Sequence, residues 1–138
     1  MKTIIPLVAA IALFASCAKR VAFLPSTSVP EATGAARIKK DNNNNYTVRV
    51  SVRNLPDPDD LQPHKERYTV WMETRDNRAI NIGNIDSKKR LFSKTRKGEM
   101  ETVNASKPVR IFITPEDGST PQVPGAEPVL STTLFKIK

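Results

Sequence analysis

The stretch 67-RYTVWMETRDNRAINIGNI-85 reads as two strands and a turn, and it decides the fold class. Tyr68, Val70 and Met72 alternate against Thr69 and Trp71, the period of two that a strand imposes. Bulky apolar residues on both sides predict a central strand. Residues 75–78 (RDNR) turn the chain, and residues 79–85 return with Ile80, Ile82 and Ile85 around Gly83. A glycine inside a strand marks a bulge or a close backbone approach.

Upstream, Tyr46, Val48, Val50 and Val52 share one face while Thr47, Arg49, Ser51 and Arg53 share the other, the pattern of a half-buried antiparallel strand. Residues 34–40 (GAARIKK) predict a strand before it. Asp41 and four consecutive asparagines form the turn, because Asn and Asp tolerate left-handed backbone and bond to nearby amides. Residues 55–63 hold three prolines and predict a crossing loop.

Downstream, residues 100–103 predict a short strand, 109–114 (VRIFIT) a strong one, and 129–138 (VLSTTLFKIK) a closing strand after a proline-rich loop. No window carries a helical apolar stripe. The expected fold is an all-β, antiparallel, immunoglobulin-like Greek-key β-sandwich of seven to eight strands.

The first residues set the expected location. Lys2, the apolar run IIPLVAAIALFA and small residues before Cys17 have the layout of a secretory signal, too short and wrongly flanked to span a membrane. Leu13-Phe14-Ala15-Ser16-Cys17 resembles a bacterial lipobox, so Cys17, the only cysteine, is the expected site of lipidation. One acyl chain binds a membrane only marginally, and a diacyl or triacyl cysteine meets the need for more. The expected organisation is a signal peptide over 1–16, a lipidated cysteine and flexible tether over 17–33, and the sandwich over 34–138. Within the tether, residues 21–24 are apolar enough to form a short strand or lie on the body. Loss of Lys2 with the signal takes the formal charge from +8 to +7. Such a balance favours solubility and attraction to anionic lipid or polyanions, with nucleic acid disfavoured outside the cytoplasm and a generally basic, solvated surface as the plain alternative.

Few residues carry chemistry. Asp57, Asp59, Asp60 and His64 share a loop, but it lacks the glycine and oxygen-rich layout of a calcium site, and zinc would need more His or Cys. No second histidine exists to act with Ser119, and no nucleophile is ordered beside His64. The chain is therefore expected to be a non-enzyme without metal or cofactor. Trp71 and Tyr68 are expected in the core, the alternative being an aromatic ligand shelf; a buried Trp71 needs a partner for its indole N–H. The candidate interaction surface is Lys88, Lys89, Arg90, Leu91, Phe92, Lys94, Arg96 and Lys97, whose charge suits anionic headgroups or an acidic partner.

In order along the chain, Leu55-Pro56, Tyr68, Val70, Trp71, Gly83, Glu116, Gly118, Ser119, Pro121, Pro124 and Pro128-Val129-Leu130 resemble the C-terminal domain of anti-sigma-K factors over residues 34–131. The sigma-binding helical segment and transmembrane helix of whole members have no counterpart in these motifs. The resemblance implies an extracytoplasmic binding or sensing module, here on a lipid anchor facing the periplasm of a bacterial envelope. Its expected state is a monomer, its partner an envelope protein yet to be identified. A structural or adhesive envelope lipoprotein is the alternative.

Overall fold

A computed structural model describes residues 18–85, 96–118 and 121–138. Eight strands appear among them: β1 (Lys19–Ala22), β2 (Thr33–Lys40), β3 (Tyr46–Arg53), β4 (Arg67–Thr74), β5 (Ala79–Ile85), β6 (Lys97–Asn104), β7 (Pro108–Glu116) and β8 (Leu130–Ser131). A 3-10 turn spans Pro58–Asp60. The chain is all-β, in two antiparallel four-stranded sheets ordered β1-β2-β3-β6 and β5-β4-β7-β8.

The strict alternation of β3 shows why the sheets close on each other. Val48, Val50 and Val52 are wholly buried, whereas Arg49 and Arg53 face solvent. Ala36 and Ile38 of β2 join them, and from the second sheet come Tyr68, Val70, Met72, Ile111 and Ile113. Burying each such valine or isoleucine stabilises the fold by about 1.5–3 kcal/mol. β4 lies between β5 and β7, the central position its two apolar faces predict.

The turns follow their residues. The Asp41 carboxylate accepts the amides of Asn43 (2.8 Å) and Asn45 (3.0 Å), while Asn44 takes a left-handed φ of 61°. Between β4 and β5, Asn77 takes a φ of 60° and the Thr74 amide donates to the Arg78 carbonyl at 3.0 Å. The register of β5 shifts at Val70/Trp71, where Val70 faces Gly83 and Trp71 faces Asn81, leaving Ile82 as the extra residue of a bulge. Gly83 has a φ of 139°, and a Cβ there would stand 2.8 Å from Met100 Cε. The positive φ at the bulge is what favours glycine there, since Met100 Cε is the tip of a flexible side chain that can move aside.

Two segments differ from expectation. Residues 18–33, expected as a tether, supply β1 and bury Phe23, Val29 and Ala32 in the core. Among the described residues the packed strands thus open at Lys19, ahead of residue 34. Its N-terminal strand is held because Val21 and Phe23 turn toward the core, and because the amides of Phe23 and Leu24 reach the carbonyls of Gly34 and Ser131, both at 2.9 Å. Those two bonds tie one strand to both sheets. At the other end, the closing strand expected over 129–138 is paired only at Leu130–Ser131. Side chains interrupt the ladder there, since the Ile111 amide donates to Thr132 Oγ1 at 3.1 Å instead of to a carbonyl. The tail still runs beside β7, with the Phe135 amide donating to the Val109 carbonyl at 2.8 Å and the Phe135 and Ile137 side chains buried.

Candidate functional site

Trp71 is wholly buried, but it lies outside the inter-sheet core. The alternation of β4 sends it to the outer face of β5-β4-β7-β8. There it stacks on Phe112 with centroids 6.4 Å apart and 14° between planes. Its indole N–H donates to Thr114 Oγ1 at 2.7 Å, Thr114 Oγ1 donates to Glu116 Oε1 at 2.8 Å, and the same oxygen accepts the Gly125 amide at 2.8 Å. Asn81 Nδ2 reaches the Pro121 carbonyl at 3.0 Å. Residues 121–128 are thereby laid over the outer face, which is how a tryptophan on the outside of a sheet loses all contact with water. Arg110 borders the stack, 5.0 Å from the Phe112 ring centroid and paired with Glu73 at 3.1 Å. This arrangement satisfies the polar groups it buries and leaves no shelf for a ligand.

Tyr68 points the other way, into the inter-sheet core, and donates its hydroxyl to the Pro56 carbonyl at 2.7 Å. Burial pushes its phenol well above the usual range, so it is a neutral donor at any physiological pH. The bond pins the crossing loop, where Asp57 accepts the Asp59 amide at 3.1 Å as cap of the 3-10 turn and Pro58 is buried. His64 is exposed. Among the described residues no three His, Cys, Asp or Glu side chains gather as metal ligands.

Of the motif residues near the end of β7, Glu116 belongs to the Trp71 network. Gly118 takes a left-handed φ of 73° in the turn that follows, its amide donating to Glu66 Oε2 at 3.1 Å. Ser119 lies outside the described residues, as do Cys17 and the candidate surface residues Lys88, Lys89, Arg90, Leu91, Phe92 and Lys94. The two remaining members of that surface are placed. Arg96 gives its carbonyl to the Asn54 amide at 2.8 Å, and Lys97 Nζ meets Glu99 Oε1 at 3.1 Å. That contact with Lys97 holds the Glu99 carboxyl below its ordinary range.

What the sequence did not reveal is the outer face of β1-β2-β3-β6. Register sets Arg20 opposite Arg37, Arg37 opposite Arg49, and Arg49 opposite Glu101. Two residues along, Ala35 faces both Ala22 and Ser51, and Ser51 faces Glu99; beyond these, Arg53 faces Lys97. Alternation alone puts Arg49 and Arg53 outside, but only strand pairing shows that Arg20 and Arg37 stand beside them. All of these residues except Glu101 line a trough of about 730 Å³, with Phe23, Leu24 and Pro25 at one end. Comparison with protein-family models, with curated proteins and with solved structures finds no match to the chain.

Proposed function

We propose that the chain is a lipid-anchored, extracytoplasmic binding or sensing module without catalytic activity, tied to a bacterial envelope membrane through acylated Cys17. The observation that carries the reading is where the packed body begins. β1 opens at Lys19, two residues past Cys17, and every strand from there to Ser131 follows it. Cleavage between Ser16 and Cys17 would therefore leave every strand of the described residues in place, and lipid on Cys17 would hold the edge of the first sheet at headgroup depth.

The finer topology is an immunoglobulin-like Greek key. In support, the chain crosses between sheets from β3 to β4, from β5 to β6 and from β6 to β7. The set β4-β7-β8 takes the places of strands C, F and G, with β5 in that of C′. One feature departs from the immunoglobulin pattern: Trp71, on the C-like strand, faces outward and not toward the opposite sheet. The likeness of residues 34–131 to the C-terminal domain of anti-sigma-K factors favours a binding or sensing role over a purely structural one.

The test is Cys17→Ser. The full-length variant is expected in the soluble extracytoplasmic or unprocessed fraction, with the parent chain in the membrane fraction and released only by detergent. Equal membrane retention of both would remove the anchor from the proposal.

A further inference from the structure

We infer that the outer face of β1-β2-β3-β6 is a binding site for the phosphate groups of anionic membrane lipids, centred on Arg20, Arg37 and Arg49. This rests on the membrane placement proposed above. Neighbouring strands lie about 4.8 Å apart, so register places these three guanidinium-bearing positions in one row across the sheet. Like charges directly opposite one another destabilise a sheet. Among the described residues only Arg49 has an acidic partner, Glu101 at 2.7 Å, while Arg20 and Arg37 have none. A fold that lines up cations in this way is relieved when an anion sits over them.

The floor of the site is as informative as its walls. Ala22, Ala35, Ser51 and Glu99 form the next row; the first three have small side chains that leave the sheet surface open between the arginine row and the Arg53–Lys97 pair, while Glu99 at its edge is held by Lys97. Alternate rows are about 6.7 Å apart along the strands, so the two cationic walls stand about 13 Å from each other. That clearance admits a phosphate group with donors on both sides, the geometry in which arginine forks bind best.

Lipid is favoured over a soluble polyanion by what surrounds the trough. Leu24 stands at its end with 48 % of its surface exposed. An apolar side chain beside a cationic face is the combination that enters the headgroup region. Arg20 is also only three residues from Cys17, so the face that needs an anion is the one nearest the anchor.

All eight strands of the described residues lie within 18–138, so the chain starting at Ala18 tests this surface without the lipid. It should cosediment with vesicles of phosphatidylcholine mixed with phosphatidylglycerol, and not with phosphatidylcholine alone. Binding should fall at about 0.5 M salt, where the screening length shrinks to about 4 Å. Arg20→Gln with Arg37→Gln should weaken it roughly 30-fold, from about 1 kcal/mol per cation near an anionic surface. Lys107→Gln with Lys138→Gln removes the same charge from exposed positions that do not line the trough and should change it less than about threefold. Thermal melts establish that both pairs are folded. Equal losses in the two pairs, or binding indifferent to lipid charge, would overturn the proposal. So would retention on a soluble sulfated polysaccharide without vesicle binding. An unmodified Cys17 with vesicle binding intact would strike the anchor and spare this surface, and the reverse result would do the opposite.

Discussion

Trp71→Ala is expected to lower the free energy of unfolding by about 3–5 kcal/mol, the cost of deleting a large buried aromatic. Domains of this size are stable by only about 5–15 kcal/mol, so the midpoint of a urea titration should fall by a large fraction. The loss has three parts: the volume under residues 121–128, the stack on Phe112, and the indole bond to Thr114. Trp71→Phe keeps most of the volume and the stack and gives up the bond, so it should cost less, about 1–3 kcal/mol. Were Trp71 an exposed ligand shelf, alanine would leave the midpoint where it was. The two substitutions together therefore separate a second small core from a binding surface.

Val50→Asp is expected to prevent folding altogether. Val50 is wholly buried, flanked in register by Ala36 and Met100. The change forfeits about 1.5–3 kcal/mol of apolar burial. It also places a carboxylate where no cation or donor awaits it, at a further cost of several kcal/mol. The sum reaches or exceeds the whole stability of an ordinary domain. Loss of the β-sheet signature in far-ultraviolet circular dichroism, or expression only as insoluble material, is the predicted readout. A cooperative melt within a few degrees of the parent chain would mean that β3 does not face an inter-sheet core. Arg49→Asp, one residue away on the solvated face, has no such penalty to meet.

These two positions also show where the sequence speaks clearly. β3 and β4 carry the alternation of a strand with one buried face or two, and both begin and end at the residues that alternation predicts. Gly83 announces its bulge because a strand has no other use for a residue that cannot fill space. β1 is only half legible as part of the body: residues 21–24 are apolar enough to pair or to pack, but Lys19 and Arg20 give no sign of a strand and the segment has the composition of a linker. Its pairing depends on β2 being present to receive it. The closing strand is shorter than its composition predicts because the hydroxyls of Ser131 and Thr132 compete with the backbone for hydrogen bonds.

The candidate surface is harder still to read. Clustering along the chain points to residues 88–97, most of which lie outside the described residues. Arg20, Arg37, Arg49 and Arg53 are spread along the chain from β1 to β3 and never form a run. A β-sheet assembles its surface from different strands, and the neighbours across strands are set by register, which periodicity does not encode. Trp71 illustrates the same limit from the other side: alternation places it opposite Tyr68, but nothing in β4 says that residues 121–128 will cover it.

Mass spectrometry of the protein purified from the membranes of its own cells addresses the proposed placement most directly. The predicted result is a mature chain lacking residues 1–16 and beginning at Cys17, with two or three acyl chains on that residue. A chain that retains residues 1–16, or an exported chain whose Cys17 carries no lipid, would contradict it.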